Sequence, residues 1–142
     1  MKKSGALFIT GGILYVIIEL LWRQKSHISM FFAGGTCLAL IDKVCNHLIC
    51  RKKTWVKCLV GSGIITLVEF ITGVVVNLQL KLNVWDYSMT RFNLLGQICP
   101  LYSFFWCFLT LPAMHVAKKV NAFLQKKHPP FWGRLWGKKE KA

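Results

Sequence analysis

Apolar residues along this chain occur in four long runs, and most of the Lys and Arg residues fall between them. A helix needs about 20 apolar residues to cross a hydrocarbon core of about 30 Å. An isolated segment in lipid must also satisfy its own backbone hydrogen bonds, so each run is expected to be helical. The pattern predicts four transmembrane helices, at about residues 5–22, 28–50, 55–80 and 92–117.

The predicted fold is an all-α, membrane-embedded bundle over residues 1–117. The second span is cleanly apolar only to Ile41, so it must include Asp42 and Lys43, with the Lys43 ammonium reaching outward. Pro100 and Pro112 predict kinks in the fourth span. Residues 118–142 form a basic, aromatic-rich tail, predicted to be an amphipathic segment on anionic lipid.

The distribution of basic residues predicts the orientation in the membrane. The first and third connections together carry only four Lys and Arg residues: Arg23, Lys25, Lys81 and Arg91. All others lie at the N-terminus, around the second connection or in the tail. The positive-inside rule therefore places both termini in the cytoplasm.

Composition, charge and missing motifs limit the functions that the chain can have. The chain is 54% hydrophobic with a net charge of +14, and its basic residues flank the apolar runs. This favours a bilayer with anionic headgroups as partner over nucleic acid. The six cysteines show no CxxC pair, and no P-loop, zinc spacing or complete nucleophile motif is visible. We expect no cofactor, no metal site, no catalytic residues and no enzymatic activity.

Three of the five acidic residues, Glu19, Asp42 and Glu69, lie inside apolar spans. Ionisable groups there are costly unless paired or facing water, so they are functional candidates by default. Arg23 follows Glu19 by one helical turn and is its expected counter-charge. Asp42 is the weakest candidate because it lies near a span end beside Lys43.

Small and polar residues recur along one face of the third span, at Ser62, Thr66, Glu69, Gly73 and Asn77. Such a stripe should face other helices or water. With the predicted topology, most polar groups fall in the outer half of the bundle. They predict an outward-facing pocket with Glu69 at its floor. The alternative is a hydrogen-bond network that only holds the helices together. The candidate binding residues are Glu19, Arg23, Glu69, Asn77, Asp86, Asn93 and Gln97, with Trp85, Tyr87, Ser88 and His27 in the adjoining loops.

Several sequence blocks resemble a bacterial family described as putative ABC-transporter type IV. These blocks are Glu19 to Arg23, Ser26 to Phe31, Glu69 to Gly73, Asn83 to Ser88 (Asn-Val-Trp-Asp-Tyr-Ser) and Asn93 to Pro100 (Asn-Leu-Leu-Gly-Gln-Ile-Cys-Pro). The resemblance covers roughly residues 12–112. It implies a permease subunit in a bacterial cytoplasmic membrane, partnered by a separate ATPase.

The leading hypothesis is an integral membrane transport component that binds a small solute or ion in the outer pocket, with a separate ATPase or a second copy of the chain as partner. A non-transporting scaffold or regulator is the first alternative. A holin-like pore former is the second, suggested by small size and a basic tail. A membrane-embedded enzyme is a weaker alternative, because no nucleophile is evident.

Overall fold

A computed structural model describes residues 2–127, which contain four helices and the segments that connect them. Helix α1 spans Lys2–Arg23, α2 spans Ile28–Ile41, α3 spans Thr54–Gly73 and α4 spans Pro100–Lys127. Helix α2 continues as a π-helical segment, Asp42–Leu48, and α3 continues as another, Val74–Gln79. All four continuous helices are long and apolar enough to cross a membrane. The predicted all-α, four-span bundle is confirmed.

The helices pack as two hairpins. Helix α1 lies against α2 and α3 lies against α4, while α2 contacts both α3 and α4. Tight packing between α1 and α2 depends on glycines: a Cβ at Gly11 would meet the backbone of Gly34, and one at Gly35 would meet Phe8. Short connections at 24–27 and 49–53 join α1 to α2 and α2 to α3, and the longer segment 80–99 joins α3 to α4. The close contacts of Gly61 with Thr110 and of Gly73 with Gln97 show that α3 and α4 also run antiparallel. We call the end with residues 24–27 and 80–99 the loop end.

The core lies between the helices. One buried cluster contains Ile41, Cys45, Ile65 and Met114, and a second joins Leu7, Leu38 and Ala117. Many large apolar side chains remain exposed, including Leu21, Leu67 and Phe108. In a membrane these side chains face lipid, so their exposure agrees with the assignment of four spans. All six cysteines are free.

The fourth helix begins at Pro100, eight residues later than the predicted start of the fourth span at 92. Residues 92–99 form turns instead, with positive φ at Phe92, Leu95 and Gly96. Asn93, Gly96 and Gln97 therefore lie in the loop before α4, outside the helix. At its other end α4 continues to Lys127, so residues 118–127 of the predicted tail are helical. Residues 128–142 lie outside the described part of the chain.

Helix α3 approaches α4 closely at Gly61, where a Cβ would collide with the side chain of Thr110. Thr110 is fully buried, so it has little room to move. We expect Gly61→Ala to lower the free energy of unfolding by about 1–3 kcal/mol through overpacking. The control is Gly63→Ala, because a Cβ at Gly63 meets nothing within 4 Å.

Gly63→Ala should be neutral, or stabilising by up to about 1 kcal/mol, because alanine is the better helix former. Thermal unfolding of both variants in the same detergent tests the pair. Equal midpoints for the two variants would contradict the close approach of α3 and α4 at this position.

Candidate functional site

The centre of the candidate site is the carboxylate of Glu69, which is buried in the interior of the bundle with 5% of the residue exposed. Its Oε1 accepts a hydrogen bond of 2.8 Å from the hydroxyl of Tyr15 on α1. Its Oε2 accepts one of 2.9 Å from the indole N–H of Trp106 on α4. Glu69 itself belongs to α3, so one carboxylate connects three helices.

The donors to Glu69 are neutral. Among residues 2–127, Arg23 pairs with Glu19 and His47 lies 3.3 Å from Asp42, and neither contact includes Glu69. A buried charge without an opposite charge nearby is costly, even when hydrogen bonds satisfy its oxygens. Glu69 is thus placed to take up a proton or a positively charged ligand group, which is the chemistry expected of a functional carboxyl inside a membrane.

The remaining members of the polar stripe on α3 also face other parts of the chain. The Ser62 hydroxyl donates to the carbonyl of Ser103, and the Thr66 and Ser103 hydroxyls lie 3.0 Å apart. A Cβ at Gly73 would meet the side chains of Gln97 and Trp85. The stripe was predicted to face other helices or water, and at these positions it contacts α4 or the 80–99 segment.

Glu19 and Arg23 form a second cluster at the loop end of α1. Arg23 Nη1 lies 3.4 Å from Glu19 Oε1, and Arg23 Nη2 donates a hydrogen bond of 2.7 Å to the carbonyl of Val84. The expected ion pair is therefore present. About a third of the Arg23 side chain is exposed, against 11% for Glu19. Arg23 also ties α1 to the segment between α3 and α4.

Asn77 is the centre of a third cluster. Its Nδ2 donates to the Trp85 carbonyl at 3.0 Å and to Gln97 Oε1 at 2.8 Å. Its Oδ1 accepts from the N–H of Val84 at 2.7 Å. The Trp85 indole N–H in turn donates to the carbonyl of Gln97. These buried groups fold residues 80–99 over the loop end of α3.

The rest of the 80–99 segment is held by short-range caps. Asp86 Oδ1 accepts from the N–H of Ser88, and Asn93 donates to the Ser88 and Thr90 carbonyls. The Asn93 Oδ1 accepts from the N–H of Gly96. The backbone hydrogen bond from Ser88 lowers the pKa of Asp86 below its ordinary value. This charge-assisted cap persists above about pH 4 and is lost as acid protonates the carboxyl.

Two more predicted residues have local partners. The Tyr87 ring stacks on Tyr102 of α4 with ring centroids 4.6 Å apart. Burial raises the pKa of Tyr87, so its hydroxyl stays protonated. His27 caps helix α2: its Nδ1 accepts from the N–H of Ser29. Tyr87 therefore holds the 80–99 segment against α4, and His27 caps the start of α2.

The structure brings the predicted residues to the half of the bundle at the loop end but divides them into separate clusters. Asn77, Gln97 and Trp85 bond to one another, Glu19 pairs with Arg23, and Asp86 and Asn93 cap turns. The cleft between α1 and α4 and the one along α4 near His115 are not lined by Glu69, Asn77 or Gln97. In this conformation the polar groups of each cluster bond to one another or to nearby backbone groups.

The sequence analysis missed Tyr15 and Trp106, the two partners of Glu69. Tyr15 precedes Glu19 by one helical turn and so shares its face of α1, which was an available signal. A buried indole N–H normally needs an acceptor, and this points to a carboxyl or carbonyl near Trp106. Neither signal specifies which acceptor, because the pairs are 54 and 37 residues apart.

A polar network at the opposite end was also not predicted. Asp42 is buried and accepts hydrogen bonds from Asn46 at 2.8 Å and from Asn121 of α4 at 2.9 Å. His47 Nε2 lies 3.3 Å from the same carboxylate. Lys43 is exposed, as predicted. Asp42 thus anchors the π-helical end of α2 to α4, away from the Glu69 cluster.

Four apolar helices packed around a buried carboxyl define a polytopic integral membrane protein. Residues 6–136 match the family described as putative ABC-transporter type IV, and the chain belongs to that family. The family resemblance seen in the sequence blocks is confirmed. No curated protein and no solved structure matches the chain.

Proposed function

We propose that the protein is the membrane-embedded subunit of an ATP-driven transport system whose ATPase is a separate chain. The carrying observation is Glu69, a buried carboxylate that three helices hold with neutral donors only. It lies about ten residues, or about 15 Å, from the loop end of the third span and so near mid-membrane. Membership of an ABC-transporter family supports this proposal.

In this proposal both termini are cytoplasmic and the loop end faces outward, as the distribution of basic residues predicts. Glu69 is the site of proton or ligand charge, and the Glu19–Arg23 pair lies nearer the outer surface. Access to Glu69 requires Tyr15 or Trp106 to separate from it. Because these donors belong to α1 and α4, movement of either helix relative to α3 changes what the carboxyl can bind.

A membrane scaffold is the second candidate, and a specific observation favours it. Both oxygens of Glu69 already have partners within the chain, which suffices for a group that only ties helices together. The two candidates differ in whether the charge of Glu69 matters. They also differ in whether an ATPase binds the chain.

The direct experiment is purification of the tagged chain from its native membrane in mild detergent, with quantitative mass spectrometry of the proteins recovered. We expect a P-loop ATPase in near-stoichiometric amount, absent from a parallel purification with the untagged chain. Recovery of the chain alone, as a defined oligomer, would overturn the ATP-driven proposal.

A further inference from the structure

The two hydrogen-bond partners of Glu69 differ in what they can do when the carboxyl takes up a proton. The Trp106 indole can only donate, so Oε2 must remain an acceptor. The Tyr15 hydroxyl, 2.8 Å from Oε1, can either donate or accept. A proton on Oε1 can therefore be donated back to the Tyr15 oxygen, and Glu69 keeps both hydrogen bonds in both protonation states.

The close packing around Glu69 favours a proton over a larger ligand. The residue is 5% exposed, and its two oxygens accept hydrogen bonds of 2.8 and 2.9 Å. A solute that bonds to either oxygen has to displace the Tyr15 hydroxyl or the Trp106 indole. A proton occupies a remaining lone pair and displaces neither. The conformation described therefore accommodates a proton at Glu69 without rearrangement of the helices.

A second acidic residue lies on the same face of α1, one turn closer to the loop end. Tyr15, Glu19 and Arg23 follow one another at four-residue intervals, about 6 Å apart along the axis. Tyr15 lies close enough to both glutamates for their charges to act on its hydroxyl. The Glu19 side chain is 11% exposed, and that of Arg23 is 33% exposed. Titratable groups thus extend in one line from the buried carboxyl to the surface of the loop end.

Other titratable groups also surround Glu69. Its charge acts on the Cys37 thiol of α2 and on the Tyr87 hydroxyl of the 80–99 segment, and Tyr87 stacks on Tyr102 of α4. Thiols and phenols are neutral when protonated. The charges of Glu19 and Arg23 act on Glu69 as well. The Glu19–Arg23 pair is therefore the charged neighbour to which protonation of Glu69 is linked.

We propose that Glu69 binds a proton that arrives from the loop end through Glu19 and the Tyr15 hydroxyl. Glu19 takes up the proton from solvent and turns from Arg23 toward Tyr15, its neighbour one turn back on the same face. Glu19 releases this proton to the Tyr15 oxygen while the Tyr15 hydroxyl proton moves to Glu69 Oε1. Glu19 ends ionised and paired with Arg23, Tyr15 ends neutral, and Glu69 ends protonated. The inference rests on the proposed function in taking Glu69 as the functional group.

The test follows protonation of Glu69 in the full chain, reconstituted in phosphatidylcholine vesicles without an ATPase. A protonated carboxyl and a carboxylate absorb at different infrared frequencies, so spectra recorded after a rapid drop in pH report the arrival of the proton. We expect a protonated-carboxyl band that Glu69→Gln lacks. In Glu19→Gln this band should reach the wild-type amplitude but grow about a hundredfold more slowly, which is the lower end of what a positioned proton donor contributes.

Two further substitutions are a matched pair, because Tyr15→Phe and Trp106→Phe each remove one hydrogen bond from the Glu69 carboxylate. Tyr15→Phe also removes the hydroxyl that passes on the proton, so the band should again grow about a hundredfold more slowly. Trp106→Phe leaves Glu19 and Tyr15 in place. Its band should grow at close to the wild-type rate.

Absence of a Glu69-dependent band at every pH at which the chain stays folded would overturn proton binding. A wild-type rate in either Glu19→Gln or Tyr15→Phe, or equal slowing in Tyr15→Phe and Trp106→Phe, would overturn the route. The vesicles contain no ATPase, so none of these results depends on that partner. A chain that recruits an ATPase but shows no Glu69 band would refute the proton and leave the ATP-driven proposal standing.

Discussion

Glu69→Gln is expected to abolish coupled transport while leaving the bundle folded. A glutamine at this position can keep both hydrogen bonds: its Oε1 accepts from Trp106, and its amide donates to Tyr15, whose hydroxyl can turn to accept. The free energy of unfolding should therefore change by less than about 1 kcal/mol. The charge is lost, however, and with it any proton or cation binding at this position.

The measurement is ATP hydrolysis by the purified complex in vesicles, together with the amount of ATPase that co-purifies. We expect hydrolysis to fall about tenfold or more, since a lost ionic contact in a low-dielectric site exceeds about 1.4 kcal/mol. Assembly should be unchanged. Glu69→Asp keeps the charge and is the conservative control, with activity partly retained.

Unchanged hydrolysis in Glu69→Gln would mean that the carboxyl serves only to connect α1, α3 and α4. The scaffold candidate would then be preferred. Glu69→Leu is the control for the hydrogen bonds, because it removes both acceptors and leaves the Tyr15 and Trp106 donors unpaired. Loss of stability in Glu69→Leu is expected under either candidate, so it reports on packing alone.

Asn77→Leu is expected to release the 80–99 segment from the loop end of the bundle. The substitution leaves three groups without their partner: the N–H of Val84, the carbonyl of Trp85 and Oε1 of Gln97. Each unsatisfied buried group costs about 1–3 kcal/mol, so the loss of stability should reach about 3 kcal/mol or more. This is the largest destabilisation that we expect from a single side chain at the loop end.

Trypsin provides a direct assay, because Lys81 and Arg91 lie within the segment. In detergent, cleavage after these residues should be about a hundredfold faster in Asn77→Leu than in the wild-type chain, because about 3 kcal/mol raises the open population by about that factor. The control is Gln79→Leu, an amide-to-leucine change at an exposed position of the same π-helical segment. Equal resistance of both variants would show that Asn77 does not hold the segment.

Hydropathy and the positions of charges were sufficient to predict the four helices, because crossing a bilayer imposes a minimum length on each apolar run. The start of α4 was wrong for the same reason. Residues 92–99 are mostly apolar, so they extend the fourth run although they form turns. Pro100 was the better signal, since proline favours the first helical turn and restricts the residue before it.

The sequence indicated which face of α3 carries the polar residues but not the partner of each residue. Spacing along α3 placed Glu69 and Asn77 on the interior face, and the structure agrees. That Asn77 bonds to Gln97 while Glu69 bonds to Trp106 depends on the rotation of α4 and on the turns at 92–99. Those are tertiary features that a periodic pattern does not contain.

The π-helical segment Val74–Gln79 decides in which direction Asn77 points. A π-helical turn holds about one residue more than an α-helical turn. An α-helical course over the same residues would rotate Asn77 by about 100° around the axis of α3, away from Gln97. The wider turn is therefore a structural condition for the hydrogen bonds by which Asn77 holds the 80–99 segment.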